Sequence, residues 1–362
     1  MIYILSILMI ISLATLLVLN MPQFGKNPSG DRLKAIENSP NFKNRQFTNQ
    51  SETPMFTGEG GTFGMLKAFI FGNNTDLTPT KPIPSIKTDL RKLEKDTDLL
   101  VWFGHSSYFM QIGGKTILVD PILSGYASPF SFSVKAFYGA DIYKPEDMPE
   151  IDYLFITHDH WDHLDYNAIM KLKPRIKQVI CGLGVGAHFE HWGFDKKILV
   201  EQDWNTQVTL DSGFVVNFTP ARHFSGRGLT RNQSLWTSFL IETPSKKIFI
   251  GGDGGYDKHF AEIGEKFGPI DLAMLENGQY NLNWKYIHML PEEVAKAADD
   301  LKAKQFLAVH NSKFKLALHP WYEPLERVSE AAKSAVSKLI TPKIGEVVYL
   351  NDSAQKFSEW WK

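Results

Sequence analysis

Thr157-His158-Asp159-His160-Trp161-Asp162-His163-Leu164-Asp165 places three imidazoles and a reaching carboxylate within the six residues from His158 to His163. The apolar run Ile151–Ile156 precedes it and reads as a strand, so the cluster falls at a strand's carboxyl end, where loops are free to carry chemistry. Three protonated imidazoles this close would repel one another, whereas neutral imidazoles sharing a divalent cation do not. The HxHxDH spacing lets His158 and His160 bind one ion while Asp162 and His163 turn toward a second. Cys181 is the single cysteine, which removes any CxxC zinc site and any intramolecular disulfide. A metal in this chain must be held by His, Asp or Glu.

Outward from this segment the 362 residues carry 39 Lys+Arg against 40 Asp+Glu, with 43% hydrophobic and 22% charged residues. That is an ordinary globular composition, and its near-neutral charge argues against nucleic acid as the main partner. The exception is Ile2–Leu19, which has no charged side chain. At ~1.5 Å rise per residue it reaches ~27 Å, so residues 1–20 are expected to form a membrane-spanning anchor or signal-anchor helix. Lys26, Arg32 and Lys34 follow it, which places the catalytic portion of a single-pass protein on the cytoplasmic side. A cleaved signal peptide with a periplasmic location is the alternative, although no basic residue precedes the apolar run and no small-x-small site follows it.

Residues 21–97 are rich in Asn, Pro, Gly, Ser and Thr and read as a connecting region packing on the main domain. The apolar island Phe63–Phe71 within it suits an interfacial segment or a packed loop. From residue 98 to 362 short apolar runs alternate with helical patterns. Strands are predicted at Leu99–Phe103, Tyr108–Ile112, Thr116–Val119, Tyr153–Thr157, Gln178–Cys181, Ile198–Val200, Val215–Phe218, Ser238–Glu242, Lys247–Ile250, Leu272–Leu275 and Phe306–Val309. A helix is predicted from Pro291, with Glu292 and Glu293 beside its positive end. Another is predicted over Leu325, Val328, Ala332, Ala335, Val336 and Leu339, which recur at helical spacing. The pattern indicates one mixed α/β (α+β) domain of packed sheets covered by helices.

The HxHxDH segment resembles that of the metallo-β-lactamase superfamily, which requires a later His, then an Asp and a final His at strand ends. His223, Asp253 and His310 stand in that order, each after an apolar strand. Phe103-Gly-His-Ser-Ser107, Leu118-Val-Asp-Pro121, His223-Phe-Ser-Gly-Arg227 and Gly251-Gly-Asp-Gly-Gly255 look like the branch containing N-acylphosphatidylethanolamine-hydrolysing phospholipase D, including its bacterial members. The resemblance implies a four-layer αββα sandwich and a binuclear site. His158, His160 and His223 would hold the first ion, and Asp162, His163 and His310 the second, with Asp253 bridging both. Two Zn²⁺ suit these donors, with Mn²⁺ or Fe²⁺ also acceptable to them.

Such a pair lowers the pKa of a bridging water toward ~7 and polarises a phosphoryl or carbonyl oxygen, so no protein nucleophile is needed. No GxSxG elbow is present, and nothing recommends Cys181 as a nucleophile. Asp162 and Asp253 are therefore both ligands and candidate catalytic groups, and Asp253 could also guide a proton. His288 is a candidate for contacting substrate. His105 suits either support of a ligand or an ordinary turn. His188 and His191 read as a solvated helix face, His319 as structural or on the rim, and His259 carries no signal. Gly182-Leu-Gly-Val-Gly-Ala187 is a weak nucleotide signature.

The expected function is a phosphodiesterase acting on N-acylphosphatidylethanolamine-like phospholipids through the metal-bridging hydroxide. The aromatic segment Tyr126–Tyr138 is a possible lip for an acyl chain, with local loop packing as the other reading. The alternative is a lactonase or other ester hydrolase for a small substrate, phosphorylated or not, for which Arg222 and Arg227 beside His223 would be relevant. A tethered metal-binding protein without turnover is a third reading. Asn311, and Glu276-Asn277, depart from residues common in the lipase-like branch. Oligomeric state is open at this level.

Overall fold

The computed structural model describes residues 2–58, 61, 63, 64, 67 and 75–362. The island Phe63–Phe71 lies largely outside them. The strands are β1 (Phe42–Lys43), β2 (Gln46–Phe47), β3 (Leu99–Trp102), β4 (Tyr108–Ile112), β5 (Lys115–Val119), β6 (Ile151–Ile156), β7 (Ile176–Gly182), β8 (Leu199–Gln202), β9 (Thr206–Thr209), β10 (Val215–Thr219), β11 (Ser238–Glu242), β12 (Lys247–Ile250), β13 (Ile270–Glu276), β14 (Ala303–Val309), β15 (Lys338–Ile340) and β16 (Val347–Tyr349). β1 and β2 form a small ribbon in the connecting region. The others build two seven-stranded sheets, in the orders β16-β3-β4-β5-β6-β7-β8 and β15-β14-β13-β12-β11-β10-β9.

Each sheet is antiparallel in one half and parallel in the other. β5 to β8 run parallel in the first sheet, and β12 to β15 in the second. The inner faces meet in one apolar core: Met110, Ile117 and Phe155 of the first sheet pack with Phe218, Phe239, Ile248 and Phe306 of the second. Phe155 and Phe239 touch edge to face at 5.1 Å between ring centres. β6 shows why its sequence is apolar throughout. Side chains alternate between faces, so Tyr153 and Phe155 enter the inter-sheet core while Leu154 and Ile156 enter a second cluster with Ile169 and Leu172.

Helices are α1 (Ile2–Leu19), α2 (Gly30–Glu37), α3 (Tyr166–Leu172), α4 (Gly186–His191), α5 (His259–Phe267), α6 (Pro291–Asp300) and α7 (Glu323–Ala331). α6 starts where predicted: Pro291 opens it, and the Glu293 carboxylate takes the Leu290 N–H at 2.8 Å, satisfying a donor that the helix start leaves free.

Two expectations are corrected. Helical spacing past Ala331 does not continue as helix. The chain passes through a short 3₁₀ turn, Asp299 captures the Val336 and Ser337 N–H groups, and Leu339 pairs with Phe306 in β15–β14. The open edge of β14 outbids local helix propensity. The expected membrane-spanning helix is also not upheld. α1 is helical and its side chains from Tyr3 to Leu17 are exposed, but among the described residues no helix is long and apolar enough to cross a membrane.

The connecting region wraps the domain through specific backbone contacts. Ile83 N–H bonds Tyr138 O, Ile86 N–H bonds Ile344 O, and Thr57 N–H bonds Asn283 O. Closer to α1, the strap from Pro22 to Lys26 lies against the loop that carries the HxHxDH segment.

Candidate metal centre

The site forms where strand ends from both sheets converge. His105 follows β3, Asp120 follows β5, and the His158–His163 loop follows β6. From the second sheet come His223 beyond β10, Asp253 after β12, Glu276 at the end of β13, and His310 immediately after β14. Three of these residues are held in left-handed backbone: His105 at φ 52°, Asp120 at 40° and His310 at 66°. Such conformations are unfavourable for residues with a Cβ and concentrate where surrounding structure imposes them.

All seven predicted ligands meet. Donor atoms of His158, His160 and His223 lie within 4.8 Å of one another, as do those of Asp162, His163 and His310, and those of Asp253, His158 and His163. Asp253 Oδ2 sits 3.0 Å from His310 Nε2, 3.2 Å from His163 Nε2, 3.9 Å from His223 Nε2 and 4.0 Å from His158 Nε2. One carboxylate oxygen thus faces imidazoles of both groups, as a bridge between two ions requires. His163 Nε2 and Asp253 Oδ1 are buried without a hydrogen-bond partner. Such orphaned atoms are costly unless a cation takes them. The donor set fits two divalent ions of the zinc type.

The imidazoles are oriented from behind, as metal-ligating histidines usually are. Thr157 Oγ1 donates to Asp120 and so accepts from His158 Nδ1 at 3.0 Å. His163 Nδ1 donates to Asp120 Oδ2 at 2.8 Å, and His223 Nδ1 to Ile287 O at 2.9 Å. Each bond fixes a proton on Nδ1, so that Nε2 is the ring atom facing inward. His160 is reversed: its Nδ1 faces His158 Nε2 at 2.9 Å and His223 Nε2 at 3.2 Å.

Burial and neighbouring imidazoles hold His158 and His223 well below the usual histidine range, and burial pulls His160 down to about 4. These three are neutral donors at neutral pH. Against the cost of burial, Asp253, Asp162 and Asp120 push His163 up to about 10, and Asp253 and Asp162 raise His310. The protons on this second group occupy positions that a cation would take.

Several residues whose supporting roles the sequence left open or unstated take them up in the fold. Asp120 takes the Thr157 N–H on Oδ1 and both Thr157 Oγ1 and His163 Nδ1 on Oδ2. His105 is fully buried with Nε2 at 3.0 Å from Asp162 Oδ2, which selects the supporting role over an ordinary turn. Glu276 is buried and binds His288 Nδ1 at 2.7 Å and the Met289 N–H. His288 stacks on His310 at 5.1 Å between ring centres. Glu276, which departs from the lipase-like pattern, therefore supports both His288 and His310.

His188 is not on a solvated face. It is buried, bonds Asp159 Oδ2 through Nε2 at 3.1 Å, and accepts the Lys26 N–H on Nδ1. His191 is exposed as expected. Asp159 also receives Ser234 Oγ and the Gly226 N–H. Arg227 donates to Asp159 O, Leu164 O and Gln23 O and lies 4.0 Å from the centre of the Trp161 ring. Phe24 packs edge-on against the same ring. The loop bearing His158 and His160 is clamped by Arg227 on one side and the amino-terminal strap on the other. His319 accepts the Gln279 N–H and stacks on Tyr280, a structural role. His259 is buried away from the ligands, beside Phe260.

The glycine-rich segments also resolve. Gly252 has φ 64°, and at Gly255 a Cβ would come within 2.2 Å of Tyr286 O. The glycines let the Asp253 loop lie against backbone. In Gly182–Ala187 the Gly184 and Gly186 N–H groups bond Glu201 Oε1, so the chain's own carboxylate fills the place a phosphate would take. Cys181 is buried, which pushes its thiol up and keeps it unreactive.

A cavity of about 330 Å³ opens over the ligands. His160, Asp162, His223, Asp253 and His310 line it together with Met55, Phe56, Phe224, Trp284, Ile287, Leu316, Gln279, His288 and Arg231. Met55 and Phe56 belong to the connecting region, held beside the site by Asn49, which pairs with both the N–H and the C=O of His223. The Tyr126–Tyr138 segment is not among the lining residues. Its Phe130 and Phe132 stack on each other, and Ser133–Tyr138 border a different cavity. Arg222 is committed to Thr53, Glu52 O and Tyr256 O, and neither it nor Arg227 lines the cavity.

Residues 115–311 match a family model described as a β-lactamase superfamily domain. An uncharacterized protein of Mycobacterium tuberculosis is 34% identical over 340 residues, spanning 90% of this chain and 88% of that one. N-acyl-phosphatidylethanolamine-hydrolyzing phospholipase D 1 of Caenorhabditis elegans is 26% identical over 347 residues, spanning 88% of this chain and 95% of that one. Among solved structures, a metallo hydrolase from the archaeon Ignicoccus hospitalis superposes with a TM-score of 0.54 at 22% identity, covering 70% of this chain and 98% of the other.

Proposed function

The chain belongs to the β-lactamase superfamily, with the metallo-β-lactamase fold, and from that premise we propose that this metal-dependent hydrolase is a phosphodiesterase for N-acylphosphatidylethanolamine-like phospholipids. The observation that carries the reading is the make-up of the cavity. Its floor is a ring of metal ligands, and its walls are Met55, Phe56, Phe224, Trp284, Ile287 and Leu316. A phosphoryl group suits the floor and an apolar arm suits the walls. The similarity to the nematode phospholipase D supports the same substrate class.

When bound, two divalent ions supply Lewis acidity and a water acidic enough to attack at neutral pH. The chain's own residues do the rest. Asp120, Thr157 and Ile287 O keep three imidazoles in the tautomer that presents Nε2. Met55 and Phe56 cover one side of the cavity and exclude bulk water, which strengthens every charge interaction inside. Glu276 takes the proton-bearing Nδ1 of His288, leaving Nε2 as the site that exchanges a proton with the departing alkoxide. Zinc fits the donor set, and Asp162 and Asp253 would hold it.

The alternative, a lactonase or other ester hydrolase for a small substrate, phosphorylated or not, would draw nothing from Arg222 and Arg227, which do not line the cavity, and would leave its apolar walls without a matching group. The test is to present zinc-loaded protein with N-acylphosphatidylethanolamine and, separately, with simple lactones. Release of phosphatidate and the N-acylethanolamine is expected, and His160→Ala should abolish it. Hydrolysis of a lactone with an intact phospholipid would overturn the assignment.

A further inference from the structure

Arg231 is the one arginine or lysine among the described residues lining the metal cavity. Its surroundings differ from those of the two neighbouring arginines on the same loop. Arg227 is buried and spends its donors on carbonyls of the ligand loop and strap. Arg222 is bonded to Thr53, Glu52 O and Tyr256 O, with Asp257 at 3.8 Å. Arg231 is exposed, and its guanidinium meets the thioether of Met55 and the ring of Phe224, whose centre is 5.2 Å from Cζ. Among the described residues no carboxylate pairs with it. A thioether is a weak acceptor, so among the described residues the donors of this fork have no oxygen partner.

The backbone beneath Arg231 is fixed. Asn232 closes the loop by donating its N–H to Ser225 O and accepting the Ser225 N–H on Oδ1, and its own carbonyl accepts the Phe47 N–H. Gly226 lets the loop fold back on itself, since a Cβ there would stand 3.2 Å from the Arg231 Cα. Phe224 in turn packs on His160 at 4.4 Å and His223 at 4.7 Å between ring centres. One phenyl ring therefore separates this guanidinium from the residues that would hold the first ion.

We propose that Arg231 is an anion-recognising residue of the substrate site, which takes the non-bridging phosphoryl oxygen that faces away from the metal ligands. The proposal rests on the phosphodiesterase reading and deepens it. A planar fork presents paired donors to phosphate oxygens, whereas a neutral ester or lactone offers no charged oxygen at that place. Arg231 thereby selects anionic diesters over neutral esters of similar size and shape. The apolar stem of Met55 and the face of Phe224 hold the fork at the mouth until the anion arrives.

The experiment uses the full-length, metal-loaded protein and its R231Q, R231K and R231E variants. Turnover of bis(4-nitrophenyl) phosphate is compared with that of a neutral 4-nitrophenyl ester, and diethyl phosphate is added as a competitive inhibitor of whichever is hydrolysed. In R231Q the ratio of kcat/KM for diester over ester should fall about tenfold, mainly through KM. The inhibition constant of diethyl phosphate should rise by a similar factor, R231K should recover part of both, and R231E should lose more. A ratio and an inhibition constant within twofold of wild type in R231Q would overturn the proposal. So would a parallel loss on diester and ester, which marks a deformed cavity. If the wild-type protein cleaves the ester alone, the phosphodiesterase reading fails, while the inhibition constant measured against that ester still decides the role of Arg231.

Discussion

Replacing Asp120 by Asn tests the tautomer argument with almost no change in shape. The carboxylate receives donors only: Thr157 N–H on Oδ1, and Thr157 Oγ1–H and His163 Nδ1–H on Oδ2. An amide with its nitrogen at the Oδ2 position would point N–H at two other donors. If it is flipped, the nitrogen meets the Thr157 backbone N–H instead. In the first arrangement the relief for His163 is to lose the Nδ1 proton and keep one on Nε2, the atom that a metal needs free. One buried, charge-assisted hydrogen bond is lost or inverted, about 1.5–3 kcal/mol. At about 1.4 kcal/mol per decade, that is a 10- to 100-fold weaker hold on the second ion, in the range expected for residues that orient ligands. The assay is competition for Zn²⁺ against a chromophoric chelator, with circular dichroism and thermal unfolding of the metal-free protein as the fold control. A dissociation constant within twofold of wild type, with the fold intact, would refute the orientation argument.

Arg227→Met should cost about 3–5 kcal/mol of stability in urea unfolding of the metal-free protein, because it leaves the carbonyls of Asp159, Leu164 and Gln23 buried without donors. A change below about 1 kcal/mol would show that the clamp is dispensable. His160→Ala and Asp253→Ala should each remove metal and hydrolysis together while the far-ultraviolet dichroism stays near wild type; full turnover in either would contradict the ligand assignment. Metal loading at pH 7 should release protons, since His163 at about 10 and the raised His310 are protonated before the ions enter. Affinity should therefore fall as pH drops, and calorimetry in buffers of different ionisation heat reads the proton count directly; no buffer dependence would contradict the assigned protonation.

The candidate ligands were legible as a cluster because each one marks the end of an apolar run, and four of the seven sit in a single loop. Their supports were not. Asp120 and Thr157 are 37 residues apart and become neighbours because β5 and β6 pair in parallel with Val119 opposite Phe155. Nothing local to Leu118–Pro121 states that register. His188 shows the same limit: helical spacing with His191 resembles a solvated face until the strap supplies the Lys26 N–H. The arginines mislead in another way. Arg222 and Arg227 flank the ligand in sequence, yet both turn aside, and the residue that lines the cavity stands four positions further on. Met55 and Phe56 escaped notice because their segment has the composition of a linker. At the far end, Leu339 could serve a helix or a strand, and pairing to Phe306 settled the matter.

The grip of Arg227 on Gln23 O gives the molecule a load path. The chain leaves α1 at Leu19, and four residues later its backbone is fastened to the side chain that also holds Asp159 O and Leu164 O. Lys26 adds a second fastening through His188 to the Asp159 carboxylate. The segment leaving α1 is therefore fastened, through Arg227 and His188, to Asp159 between His158 and His160. An expression product that starts at Asn20 keeps both fastenings and sheds the exposed apolar rod. One that starts at Pro28 cuts them, and leaves the metal loop without its brace.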